Sequence, residues 1–186
     1  NRQIIGGLIE RAFEKTLNLP PKQLGMELVY DVAHNVAKFE EHIVGGKKMK
    51  LCVHRKGATR AFPQGHPDVP EVYRETGQPV LVPGDMGRAS YVLAGNAAAM
   101  DETFGSACHG AGRLMSRTQA MKSTTSREVV RHLEEKGINI IARDNRTLAE
   151  EMPEAYKNAA DVVEVVHQSG LCRKVAKLKP LAVIKG

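Results

Sequence analysis

The sequence contains no tryptophan and only four tyrosines and four phenylalanines. Few flat rings are therefore on offer for stacking unpaired bases, so any grip on nucleic acid has to be led by phosphate contacts. Cysteine is equally sparse, with Cys52, Cys108 and Cys172 widely separated. An odd count without paired spacing argues against a disulfide framework and a zinc ribbon, and it fits a reducing, cytoplasmic compartment. No apolar run approaches the roughly 20 residues that cross a bilayer, so no membrane partner is expected. The first residues lack the pattern of a signal peptide, because Arg2 and a short apolar patch lead directly to Glu10, Arg11, Glu14 and Lys15. A start at Asn1 rather than methionine reads as a processed product or a piece of something longer.

Acidic side chains are missing from three long tracts, His42 to Pro67, Thr103 to Arg127 and Leu171 to Gly186. Much of the positive charge lies in those tracts, and the formal charge of the chain is +6. An anionic partner follows: nucleic acid, nucleotide or phosphate. With 186 residues, 42% of them hydrophobic and 26% charged, the composition is that of an ordinary folded protein with one domain as the default.

The pattern of elements is mixed. Apolar spacing predicts a helix over Ile4 to Lys15, stopped by Pro20-Pro21. Glu27 to Ala33 is β-rich, and Val36 to Val44 and Lys47 to His54 read as strands around a Gly45-Gly46 turn. Further strands are expected at Gln78 to Pro83, Ala89 to Ala94, Ile138 to Ala142 and Leu171 to Ile184, the last broken at Pro180. Helices are expected at Leu114 to Lys122, Arg127 to Lys136 and Pro153 to His167. Without a regular βαβ alternation or a dinucleotide fingerprint, the class is α+β, with mixed or antiparallel sheets and flanking helices.

Chemistry concentrates in Phe104-Gly105-Ser106-Ala107-Cys108-His109-Gly110-Ala111-Gly112-Arg113. Glycines allow a ligand to approach the main chain closely, and the fork of Arg113 matches phosphate oxygens. Such a loop suits wrapping a phosphate while presenting the imidazole of His109. Cys108 reads as packing, since free cysteines are mostly inert core residues. His34, at the end of Tyr30-Asp31-Val32-Ala33-His34-Asn35, is a candidate metal ligand, although one histidine cannot hold a metal alone. His42, His66, His132 and His167 read as surface or structural, and His54 is ambiguous because of its basic neighbours.

Five segments, taken together and in order, carry a resemblance: YDVAHN, HRKGATRAFPQGH, VLVPGDMGRASY, GSACHGAGR and the terminal VIKG. From Glu27 to the end the chain resembles the C-terminal part of the RtcB family of RNA-splicing ligases. The resemblance implies that residues 1–186 form the C-terminal portion of a larger ligase domain. It also implies the activity, which is joining an RNA 3′-phosphate or 2′,3′-cyclic phosphate to a 5′-hydroxyl with GTP and Mn2+. His109 would attack the α-phosphorus of GTP and hold GMP. His34 matches a metal ligand, and Ser90 and Lys185 match guanine-reading positions. Tyr156 would pack on the base, while Ala111, Gly112 and Arg113 would contact the nucleotide. Asn35 and Lys56 fit contacts to the substrate phosphate. Expected partners are RNA (tRNA halves or broken RNA ends), the N-terminal portion of the same protein and an activating protein.

Two departures accompany the match. Asp85 stands in the PGDMG turn where the family leads one to expect a serine. The family's other metal ligands, an aspartate, a cysteine and two histidines, belong to a preceding portion that these residues do not resemble. The chain alone is therefore expected to be inactive. A non-catalytic basic RNA-binding fragment is the alternative, and a metal-dependent phosphoesterase with a phosphorylated His109 is a third reading.

Overall fold

A computed structural model describes the backbone of residues 1–185, and the side chains in that range other than those of 145–147. Two compact units emerge, Asn1–Val32 and Ala33–Gly186.

In the first unit, α1 (Arg2–Leu17) forms where the apolar spacing predicts it. It ends at Asn18 in the left-handed conformation, φ 51°, a place where asparagine substitutes for glycine. Pro21 then opens the single turn α2 (Pro21–Leu24), tolerated because the first helical N–H has no intrahelical partner. Arg2 donates to the carboxylate of Asp31. The strand expected over Glu27 to Ala33 does not form. β-propensity expresses packing against a neighbouring strand, and among the described residues no ladder includes this segment.

The second unit begins with β1 (Asn35–Val44), β2 (Lys47–Lys56) and β3 (Ala58–Arg60). Next come β4 (Pro79–Val82), β5 (Ser90–Gly95), α3 (Ala97–Thr103) and β6 (Ser106–Cys108). Helices α4 (Arg117–Ser123) and α5 (Ser126–Glu135) precede β7 (Asn139–Ala142) and α6 (Asn145–Glu150). The chain closes with α7 (Ala159–Gln168), β8 (Cys172–Leu178) and β9 (Ala182–Lys185).

Four small sheets result: the β1–β2 hairpin, an antiparallel β3–β6 pair, an antiparallel β4–β5–β8 sheet and a parallel β7–β9 pair. This is the α+β class expected from the sequence. Gly45 and Gly46 sit at φ 57° and 77°, the positive values that a two-residue hairpin turn demands. Val80, Val82, Leu93, Val163 and Cys172 form a core between the three-stranded sheet and α7. Met86, Leu133, Ile138, Leu148 and Met152 form a second core against α4, α5 and α6. Capping boxes at Ser116/Gln119 and Thr125/Glu128 fix the starts of α4 and α5, each satisfying orphan N–H groups reciprocally.

The helix expected from Pro153 to His167 is interrupted. Pro153–Ala155 makes one tight turn, Tyr156 is extended, and Asn158 caps α7 by accepting from the Ala160 N–H at 3.1 Å. The reason lies across the chain: Tyr156 forms a backbone bridge with Arg113, which holds it out of helical conformation. Among the described residues no helix is long and apolar enough to cross a membrane.

Candidate active site

Two strands deliver the central pair of side chains. The registers of β1–β2 and β3–β6 converge on Gly57, since Asn35 pairs with Lys56 and Ala58 with Cys108. The Gly57 N–H donates to the His34 carbonyl at 2.8 Å, and the His109 N–H donates to the Gly57 carbonyl at 3.3 Å. His34 and His109 are thereby stacked, with ring centroids 3.9 Å apart and planes 15° from parallel. Asn35 places its amide 3.5 Å from Nε2 of His34 and accepts from the Gly57 N–H at 3.3 Å. Lys56 is exposed at the same strand end.

His109 is held in the neutral form. Burial lowers its pKa, and the neighbouring His34 lowers it further. Its Nδ1 is buried with no hydrogen-bond partner among the described residues, which leaves Nε2 as the nitrogen that a ligand can reach. A neutral imidazole with one accessible lone pair is a competent nucleophile. Cys108, beside it, is not: burial pushes its thiol pKa up, away from the reactive thiolate.

A cavity of about 510 Å3 opens where His109 gives way to Gly110, Ala111 and Gly112. Ser90, Tyr156 and Lys185 also line it, so residues from four distant parts of the sequence meet there. Tyr156 is brought in by hydrogen bonds between its segment and the loop, namely Leu114 N–H to Ala155 carbonyl at 2.8 Å and Lys157 N–H to Gly112 carbonyl at 3.0 Å. Lys185 arrives through the parallel pairing of β9 with β7, opposite Ala142. The hydroxyl of Ser90 accepts from the Gly84 N–H at 3.0 Å, which fixes the PGDMG turn at the cavity wall.

Arg113 does not line the cavity; its guanidinium is committed elsewhere. It lies 4.6 Å over the Tyr156 ring and donates to the Tyr156 hydroxyl at 2.6 Å, to Glu151 at 3.0 Å, to the Met115 carbonyl at 3.0 Å and to the Glu150 carbonyl. Glu151 also accepts from the Tyr156 hydroxyl and stands 3.9 Å from the Lys185 ammonium. Burial, with Glu151 behind it, pushes the Tyr156 pKa up to about 12. Sequence reasoning missed Glu151, which is the hub of the three. Its only outward signal is an acidic pair beside the tyrosine turn.

Asp85 resolves differently from a free acid in a phosphate site. Its side chain is 1% exposed, accepts from the Gly87 N–H at 2.9 Å and is paired with Arg88. Arg88 in turn donates to the Tyr156 carbonyl at 3.0 Å. The turn is thus neutralised internally and tied to the base-side wall of the cavity.

The inner face of the hairpin holds a second network that the sequence reading did not anticipate. Arg55 and Glu40 form a buried bidentate pair at 2.8 Å for both bonds, and His42 joins Glu40 at 3.2 Å. Arg55 also reaches the Ser106 hydroxyl at 2.9 Å and the Phe104 carbonyl at 2.8 Å, so it ties β2 to the strand that leads to His109. For a metal, the chain offers one imidazole in His34. Among the described residues no three histidines, cysteines or carboxylates gather closely enough to hold an ion. These residues by themselves do not fit a metal centre.

Comparison with known proteins accounts for this arrangement. A family model described as "tRNA-splicing ligase RtcB" matches residues 1–186. A tRNA-splicing ligase RtcB of Archaeoglobus fulgidus is 59% identical over the whole chain, which spans 39% of that protein. One from Thermococcus kodakarensis is 54% identical, again over the whole chain and 39% of its own length. An RNA-splicing ligase RtcB homolog 1 from Entamoeba dispar is 52% identical, with 35% of its length covered. The 186 residues therefore span between a third and two fifths of these three relatives, and the chain belongs to the RtcB family of tRNA-splicing ligases.

Proposed function

We propose that this chain carries the nucleotide-accepting portion of a GTP- and manganese-dependent RNA ligase, with His109 as the residue that becomes guanylylated. The observation that carries the reading is the partly buried His109, stacked on His34 and followed directly in the chain by Gly110, Ala111 and Gly112, which line a cavity together with Ser90, Tyr156 and Lys185. The lone pair on Nε2 attacks the α-phosphorus of GTP. An N–P bond forms, the bridging P–O bond to the β-phosphate breaks, pyrophosphate leaves, and the ring proton stays on Nδ1. An oxygen of the RNA 3′-phosphate then takes GMP from His109, and the 5′-hydroxyl of the second RNA displaces GMP to make the phosphodiester. A 2′,3′-cyclic end enters after opening to the 3′-phosphate.

In this reading Tyr156 packs on guanine, Ser90 and Lys185 read its edge, and Ala111 and Gly112 offer backbone contacts to the nucleotide. Arg113 acts through Tyr156 and Glu151, because its donors are already engaged, and so differs from the phosphate grip that the resemblance implies. Asn35 and Lys56 contact the substrate phosphate. His34 contributes one metal donor, and the others come from outside these residues, so no step is routed here through the metal. That incompleteness also supports the second reading, a non-catalytic basic RNA-binding fragment, for the chain in isolation.

Intact mass after incubation with GTP and manganese separates the two. The full-length protein should gain one GMP, acid-labile and alkali-stable as a phosphoramidate, and His109→Ala should abolish the gain. The 186 residues alone should gain none. No adduct on the folded full-length protein would refute the ligase reading.

A further inference from the structure

The β1–β2 hairpin has an outer face of which the mechanism uses only the Asn35 and Lys56 end. Side chains alternate across a strand, so Asn35, Ala37, Phe39 and Glu41 share one face with their partners Lys56, His54, Cys52 and Lys50. The opposite face carries the buried Glu40, His42 and Arg55. The outer face therefore starts at Asn35 and Lys56, beside the His34–His109 stack, and runs outward as a row of exposed Lys56, His54, Cys52, Lys50 and Lys48. These groups recur every ~6.7 Å along the strand, a step that an extended nucleotide can match.

Phe39 stands in the middle of this face, 73% exposed, with the Lys50 ammonium 5.7 Å from its ring centroid. A large ring left in water beside the basic strand β2 costs apolar exposure. Such a ring flanked by a cation is the arrangement on which an unpaired base stacks. Phe39 also edges a cavity of about 470 Å3, whose lining includes Lys48, Lys50, Phe62 and His66. The acids near it are paired: Glu41 with Lys48 at 2.7 Å, Glu40 with Arg55, and Asp68 with Arg60 at 3.9 Å. Lys50 has no acid within ion-pair distance among the described residues, which leaves its charge for a ligand. From Asn35 to Phe39 is four residues, about 13 Å of strand.

We propose that this face is the track for the RNA strand that ends in the reacting phosphate, with Phe39 as the stacking platform for an unpaired base upstream of that end. The proposal rests on the ligase reading for its direction, since it sets the terminal phosphate at Asn35 and Lys56. Its chemistry is sequence-tolerant: phosphates meet Lys50 and Lys56, and any base has a face for Phe39.

The test uses the full-length protein and two ligands bearing 3′-phosphates, a mononucleotide and a single-stranded decanucleotide. Binding is followed by calorimetry over a range of salt concentrations. Phe39→Ala should weaken the decanucleotide roughly 5- to 100-fold and leave the mononucleotide, which is too short to reach it, unaffected. Lys50→Ala should lower the magnitude of the decanucleotide salt slope by about 0.7, the value for one lost phosphate contact on a single strand. Phe39→Tyr and Lys50→Arg should retain wild-type affinity, which distinguishes a lost contact from a damaged fold. Unchanged decanucleotide binding in the alanine variants, or an equal loss for both lengths, would overturn the track. GMP adduct formation by the unmutated protein is scored separately, and its absence would defeat the ligase reading while the length-dependent binding still decides the track.

Discussion

Arg55 offers the sharpest test of how the hairpin and the nucleophile are held together. Its side chain and that of Glu40 are 1% and 2% exposed, and its guanidinium meets both Glu40 oxygens, the Ser106 hydroxyl and the Phe104 carbonyl. Arg55→Met keeps the stem and deletes the charge, leaving Glu40 buried with only His42 as a partner. Removing one member of a buried pair costs about 3–5 kcal/mol, chiefly through the charge left behind. The freed Phe104 carbonyl adds to that cost, although not additively. A loss on the order of 4 kcal/mol is expected in urea unfolding of the full-length protein. Adding Glu40→Leu should recover much of it, because an apolar pair of similar volume often replaces a buried ion pair without penalty. Burial pushes the Glu40 carboxyl pKa up, but hydrogen bonds from Arg55 and His42 outweigh it and hold the value below the ordinary 4.5. That stabilisation is therefore full above the ordinary carboxylate range and is lost as pH falls through the lowered folded value. Arg55→Met should also slow GMP transfer to His109, since Ser106 lies three residues before it. A stability loss under ~1 kcal/mol, or a double variant no more stable than Arg55→Met, would refute the reasoning.

Other outcomes follow from single contacts. Gly105→Ala should destabilise severely, because a Cβ there would lie 2.5 Å from the Phe62 ring and 2.8 Å from the Met100 sulfur at a φ of +60°; thermal unfolding of the variant checks this. Glu151→Gln should bring the Tyr156 ionisation down from about 12 towards the ordinary 10, read as tyrosinate absorbance on alkaline titration. The corresponding loss of stability in the unmutated protein falls between those two values, because the fold favours the protonated hydroxyl. Thr125→Ala should cost about 0.5–2 kcal/mol by removing the α5 cap, measured by chemical denaturation.

Where local chemistry decides the structure, the sequence was readable. Gly45-Gly46 between two β-rich runs announces a hairpin, and Pro20-Pro21 announces a stop, because each acts on its own backbone. The His109 loop was readable for the same reason, as a run of small residues free of acids. What escaped depends on pairings across the chain. Glu40, His42 and Arg55 are polar residues on an inward face, and nothing in a strand's own alternation says that a bidentate partner lies fifteen residues away. Glu151 is one of several acids in its segment until Arg113, Tyr156 and Lys185 converge on it. The break in the Pro153 to His167 helix is set by the bridge to Arg113, a contact over more than forty residues. Glu27 to Ala33 failed in the opposite direction, since its β-propensity needs a neighbouring strand to become a strand.

In the proposed reading, the charges around the cavity call for donors from outside this portion. Arg113 is tied to Glu151, Arg88 to Asp85, and the Lys185 ammonium lies 3.9 Å from Glu151. These three cations share two carboxylates, so the cavity presents shape and backbone more than free positive charge. A triphosphate that loses pyrophosphate at its α-phosphorus needs positive charge beside the departing oxygens, and a divalent cation supplies it. Lys56 is exposed beside Asn35, where the proposed RNA phosphate sits, and it does not line the cavity. His34 stacks on the nucleophile and can give an ion one donor at that position. The division of labour follows from these distances. In the proposed reading this chain orients the base and the attacking nitrogen, and donors beyond these residues bring the charge.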